Sequence, residues 1–189
     1  MKKCVFLDRD GTINIGFNIN NPDELELYPF VSEAINKLNN IDYLVVVATN
    51  QGGVSLGFMD DKDLKKIHDN MIKTLKEENA HIDKIYSSFY HKHGKTEKYK
   101  TNPHWRKPEP GMLVDASKDL NIDLKNSYMI GDRAGDIEAG NSAGCKSILV
   151  LTGSGRETEQ ELKNKKIKVD YICNDLLEAA KLIEEMDRV

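Results

Sequence analysis

Short apolar runs alternate with amphipathic stretches along almost the whole chain, and that rhythm leaves it few folds to choose from. Cys4-Val5-Phe6-Leu7 and Leu44-Val45-Val46-Val47-Ala48 are short and uninterrupted by polar residues, as expected of strands buried on both faces. Ile85 to Phe89, Tyr128 to Ile130 and Ser147 to Leu151 read as further strands, with Tyr171-Ile172 as an edge. Between them, Leu64, Ile67, Met71, Ile72 and Leu75 share one helical face, while Lys65, Lys66, Lys73 and Lys76 fall mostly elsewhere. Met112 to Leu120, Asp136 to Ala143 and Asp175 to Met186 supply more helices, and the charges of Glu157 to Lys166 read as a solvated helix face. Strands alternating with helices predict an α/β fold, a doubly wound parallel sheet forming one domain over residues 1–189.

The remaining composition narrows the class. A net charge of −4 argues against a nucleic-acid binder, which needs a positive field. Cys4, Cys145 and Cys173 are odd in number and far apart, so neither a disulfide framework nor a cysteine zinc site is expected. No apolar run approaches membrane-spanning length, and the first acidic motif arrives at Asp8, too early for a signal peptide. The expectation is a cytoplasmic, monomeric protein with no membrane or nucleic-acid partner.

Two stretches break the rhythm. Residues 13–29 are rich in Asn, Gly and Pro; residues 90–110 are polar and basic, with Lys92, Lys95, Lys98, Lys100, Arg106 and Lys107. In a doubly wound sheet the loops leaving the C-terminal strand edges surround the ligand crevice, so both are expected to cover a site there.

The strand ends carry the chemistry. The first is followed by Asp8-Arg9-Asp10-Gly11-Thr12 and the second by Thr49-Asn50-Gln51-Gly52-Gly53. Arg106-Lys107-Pro108 comes after the third, and Gly131-Asp132, then Asp136, after the fourth. Asp8 and Asp10 alone would read as a strand-end turn. With a hydroxyl, a cation and further carboxylates converging on the same edge, they suit phosphoryl transfer through an aspartyl-phosphate. A carboxylate attacks phosphorus only when a divalent cation and a fixed positive side chain neutralise the repulsion between anions. Asp8 would be nucleophile and metal ligand, and Asp10 would move the protons and lend its carbonyl to the metal. Thr49 would hold the phosphoryl oxygens and Lys107 their charge. Asp132 would complete an oxygen shell for Mg2+, with Asp136 either a further ligand or a support behind that shell.

Those four motifs, in that order, resemble the haloacid dehalogenase superfamily of phosphatases. Ala48-Thr49-Asn50-Gln51-Gly52-Gly53 and Arg106-Lys107-Pro108, with Pro110-Gly111-Met112, are similar to its D,D-heptose 1,7-bisphosphate phosphatase and histidinol-phosphatase branch. The resemblance implies a Rossmann-like sheet with no large cap domain. It implies substrate contacts from Asn50, Gln51, Gly52 and Arg106, and a phosphate contact from Arg133. It also implies a small phosphorylated sugar as ligand, D-glycero-D-manno-heptose 1,7-bisphosphate first and histidinol phosphate as the alternative. A non-catalytic binding domain on the same scaffold is the reading from another class. Asp10 beside Asp8 speaks against it, since a pure binder has no use for a proton donor there.

One departure from the branch stands out. Its members often hold a structural zinc through cysteines in the loop before the R-K-P motif. Here Phe89 to Gly94 and Pro103-His104-Trp105 contain none, although His91, His93 and His104 remain. Structural zinc is not expected, and Trp105 and Tyr99 are expected to order the loop by packing.

Overall fold

Strand β1 (Cys4–Leu7) is buried at every residue, which a chain achieves only by placing it inside a sheet covered on both faces. The computed structural model, which describes residues 1–188, does this. Val189, the last residue of the expected domain, lies outside the described residues. β1 pairs in parallel with β2 (Leu44–Asn50) on one side and β4 (Tyr128–Gly131) on the other. β3 (Lys84–Ser88), β5 (Lys146–Val150) and β6 (Tyr171–Cys173) complete a six-stranded parallel sheet in the order β3-β2-β1-β4-β5-β6.

The helices in chain order are α1 (Val31–Asn40), α2 (Gly53–Leu56), α3 (Asp61–Glu77) and α4 (Gly111–Leu120). They continue with α5 (Ala134–Ala143), α6 (Gly155–Lys165) and α7 (Leu176–Asp187). Alternate strand residues face opposite layers. Val5, Leu7, Val45, Val47 and Ile130 join Ile35 and Leu38 of α1, Met71 and Leu75 of α3, and Ile183 of α7. Cys4, Phe6, Val46, Ala48 and Met129 pack instead on Met112, Leu113 and Ala116 of α4. Each buried Val, Leu, Ile, Phe or Met among them contributes about 1.5–3 kcal/mol by leaving water.

Boundaries shift slightly from those read in the sequence. β3 starts at Lys84 and stops at Ser88, so Phe89 belongs to the loop. α5 begins at Ala134, which puts Asp136 in its first turn, and α7 begins after Asp175, whose side chain accepts the Glu178 N–H at 2.9 Å.

The two irregular stretches are ordered by their own contacts. Residues 13–29 double back, with the Ile15 N–H donating to Glu26 O at 2.8 Å and the Tyr28 N–H to Ile13 O at 3.1 Å. In the second stretch Trp105 packs edge-on against Tyr86 at 5.8 Å and donates its Nε1–H to Asp115 at 2.7 Å. Tyr99 packs edge-on against Phe89 at 5.4 Å, so both aromatics named from the sequence do hold this loop.

Candidate active site

The strand order reverses between β1 and β4. The chain leaves β1 for β2 on one side and β4 for β5 on the other, which opens a crevice at their C-terminal ends. The ladder continues one residue past β1, as the Asp8 N–H donates to Ile130 O at 2.9 Å, so Asp8 starts where the sheet stops. A cavity of about 440 Å³ opens there, with Asp8, Asp10, Thr49, Lys107 and Asp136 in its wall. Asn50, Gly52, Arg106 and Arg133 also line it, so nearly all the residues picked from the sequence meet at one place.

Lys107 is the hub. Its ammonium lies 2.8 Å from Asp8 Oδ1, 2.7 Å from Asp136 Oδ1 and 2.6 Å from the Ala48 carbonyl, and its side chain is 2% exposed. Burial works against the ammonium, but the charges of Asp136 and Asp8 outweigh it and raise its pKa above the ordinary lysine range. Asn50 holds the Lys107 backbone from both sides, accepting its N–H and donating to its carbonyl, each at 3.0 Å.

Asp8, Asp132 and Asp136 present carboxylate oxygens all within 4.8 Å of one another, and all three residues are buried. Asp132 accepts the Ser154 N–H on Oδ2 at 2.7 Å, while its Oδ1 is buried with no hydrogen-bond partner among the described residues. Burial, reinforced by the neighbouring Asp8 and Asp136, pushes the Asp132 carboxyl up to about 7. Burial likewise raises Asp136 against the opposing pull of Lys107. Three clustered carboxylates against a single ammonium leave an excess of negative charge that a hard divalent cation would neutralise, and the orphaned Asp132 oxygen is the donor it would take. The residues fit such an ion.

Gly11 makes this cluster fit. It sits at φ +81°, and a Cβ there would fall 2.3 Å from Asp132 Oδ2. Gly52 does the same on the far wall, where a Cβ would press on Arg106 Nη1 and the His91 ring.

One expected residue, Gln51, does not line the cavity. Gln51 is turned inward, donating its Nε2–H to Thr49 Oγ1 at 2.9 Å and accepting from Arg9 Nη2 at 3.3 Å. Asp10 lines the cavity outside the carboxylate trio, and its Oδ1 accepts Arg9 Nε and Nη2 at 2.9 and 2.8 Å. Arg106 and Arg133 are each held at the mouth. Arg106 donates to Tyr90 O at 2.9 Å, and the Arg133 guanidinium lies over the Phe17 ring at 4.7 Å. Both long loops thus reach the cavity, one through Phe17 and Asn18, the other through His91 and Arg106.

Arg9, His68 and Phe17 were missed in the sequence. Strand alternation offered a signal for the first: if Asp8 and Asp10 face the crevice, Arg9 between them must face the interior. His68 sits four residues after Leu64, on the buried face of α3, where a polar side chain needs a partner.

A sheet of this order, with a carboxylate after β1, further carboxylates after β4 and a lysine delivered between them, defines a haloacid dehalogenase-like hydrolase. The family profile described as "HAD-hyrolase-like" matches residues 104–179. A Pasteurella multocida protein named D-glycero-beta-D-manno-heptose-1,7-bisphosphate 7-phosphatase is 35% identical over 97% of this chain and 98% of its own length. The protein of the same name from Photorhabdus laumondii is 37% identical over 96% and 95%. The crystal structure of D,D-heptose 1,7-bisphosphate phosphatase from B. bronchiseptica, complexed with magnesium and phosphate, superposes with a TM-score of 0.87. It is 32% identical to this chain, covering 97% of it and 99% of the crystallised one. The chain belongs to the haloacid dehalogenase superfamily of phosphatases, in the D,D-heptose 1,7-bisphosphate phosphatase branch.

Proposed function

We propose that this protein is a magnesium-dependent phosphatase that removes the 7-phosphate of D-glycero-D-manno-heptose 1,7-bisphosphate through an aspartyl-phosphate on Asp8. The observation that carries the chemistry is Lys107, buried and bridging Asp8 to Asp136 beside the unpartnered Asp132 oxygen. The substrate rests on relatives named for that reaction, which match this chain over nearly its full length.

Asp8 attacks phosphorus with one carboxylate oxygen while Lys107 steadies the other. Asp10 protonates the departing sugar oxygen, then takes a proton from the water that hydrolyses the acyl phosphate and regenerates Asp8. Thr49 accepts the Gln51 amide, which leaves its own hydroxyl proton for a phosphoryl oxygen. Bound at Asp8, Asp132 and Asp136, with the Asp10 carbonyl as a further donor, magnesium would supply the positive charge that the transferring group develops against. Arg106, Arg133, Asn50 and Gly52 line the substrate side, and the loops at 13–29 and 90–110 cover it. Every group in this scheme comes from one chain, so a monomer suffices. The three buried free thiols, Cys4, Cys145 and Cys173, suit the reducing cytoplasm.

Phosphate release by Asp8→Asn tests the chemistry: activity near wild type in a folded variant would sink the nucleophile assignment. Ranking heptose bisphosphate against histidinol phosphate by kcat/KM tests the substrate, and a clear win for the histidinol ester would replace it.

A further inference from the structure

We infer that Arg9 is a positioning residue: held by the His68 ring, its guanidinium sets the Asp10 carboxylate and the Thr49 hydroxyl in register across the ends of β1 and β2. This rests on the reading of Asp10 as the proton donor proposed above.

Arg9 is fully buried and lies directly behind the reacting edge. Its Nε and Nη2 both donate to one oxygen of Asp10, Oδ1, at 2.9 and 2.8 Å. Those two bonds pin Oδ1 and leave Oδ2 as the oxygen for proton transfer at the cavity that Asp10 lines. The same Nη2 donates to Gln51 Oε1 at 3.3 Å. With its oxygen engaged there, Gln51 turns its NH2 to Thr49 Oγ1, 2.9 Å away. Thr49 is thereby cast as acceptor toward Gln51 and keeps its proton for the substrate. One planar cation therefore orients a group from each of two neighbouring strand ends.

The far side of the guanidinium needs an acceptor, because Arg has only donors. His68 on α3 provides it, with Nε2 at 3.3 Å from Nη1. The ring must then be neutral with its proton on Nδ1. Burial and the adjacent Arg9 charge secure that state, holding the imidazole down to about 3. A lysine at position 9 would carry the charge but not the fork, and would leave the carboxylate free to turn.

Leaving-group dependence separates positioning from plain structural support. An aryl ester such as p-nitrophenyl phosphate departs with little need of a proton, whereas an alkyl phosphate needs one. In Arg9→Met and Arg9→Lys, kcat/KM for the alkyl ester should fall about 10²–10³-fold. The fall for the aryl ester should be at least about tenfold smaller, with KM little changed on either. His68→Gln, which keeps an acceptor, should stay near wild type, and His68→Leu should share the Arg9 defect. Should Arg9→Met fail to fold by circular dichroism, Arg9→Lys and His68→Leu carry the same comparison. Equal losses on the two esters, or no loss, in the folded variants would overturn the inference. Asp10→Asn is measured alongside. If it shows no preference for the aryl ester, the proton-donor reading itself falls, which is a different failure from that of Arg9.

Discussion

Asp136 grips Lys107 with one oxygen and caps its own helix with the other. Oδ1 stands 2.7 Å from the ammonium, and Oδ2 accepts the Arg133 N–H at 3.0 Å. The lysine that reaches Asp8 and the start of α5 are thus locked into one unit. That unit holds the only cation in ion-pair contact with the three clustered carboxylates among the described residues. Lys107→Met should destabilise the metal-free protein by about 3–5 kcal/mol, because it strands buried charge. Magnesium should restore much of that stability, and raise Tm more than in the wild type, without restoring activity. Thermal denaturation with and without the ion, set beside kcat, checks both halves; recovery of activity along with Tm would contradict the role given to Lys107.

Magnesium affinity should climb with pH up to about 7 and then level off. The Asp132 carboxyl is raised to about 7 by burial and by its acidic neighbours, so below that value it must shed a proton to become a ligand. The metal-free protein follows the opposite course. With a folded pKa above the ordinary 3.8, Asp132 contributes stability that is full below 3.8 and is lost as pH rises through about 7. Calorimetric titrations in buffers of different ionisation enthalpy should find net proton release on binding below about pH 7 that fades above it. Affinity that is flat across this range would refute the assignment.

Acid should unfold the protein partly through His68. Its ring titrates near 6.5 when exposed but only near 3 when folded, so between those values the unfolded chain carries the extra proton. The contribution is complete above 6.5 and drains away as pH falls toward 3, by a few kcal/mol on the order expected for so buried a ring. Urea midpoints at about pH 7.5 and 4.5 should differ less in His68→Gln than in the wild type. The same acid sensitivity in both proteins would place its origin elsewhere.

Gly11→Ala should cost about 1–3 kcal/mol of stability through its left-handed backbone alone. It should cost more in magnesium affinity, because the added carbon meets Asp132 Oδ2. Isothermal titration of the folded variant measures the second effect apart from the first, and wild-type affinity would show that Asp132 can retreat unharmed.

The parts legible in the sequence were those fixed by local pattern. The apolar run from Leu44 marked β2, and a parallel sheet puts every strand's C-terminus on one edge, so motifs scattered from Asp8 to Asp136 could be gathered before any contact was seen. What escaped was set by contacts across the fold. Arg9 meets His68 only because α3 packs over the end of β1, and nothing near either residue announces the other. The family resemblance implied a substrate contact for Gln51, yet its side chain is turned inward to the buried Arg9 guanidinium. Strand ends were blurred for a related reason. Thr49 and Asn50 are polar and line the cavity, so the apolar run stops short of where the ladder does.

The pairing of Asp8 with Ile130 also has a consequence for how the molecule comes into being. Asp8, the proposed nucleophile, leaves the ribosome well before the strand that seats it, because Asp8 and Ile130 are separated by more than half of the sequence. Contacts between such distant residues form slowly. A nascent chain that ends before β4 carries Asp8 and Thr49 but has neither Asp132 nor Asp136 to set against them. Enzymatic activity should therefore appear only after α5 has emerged and β4 has docked, which makes it a clock for the closing of the sheet.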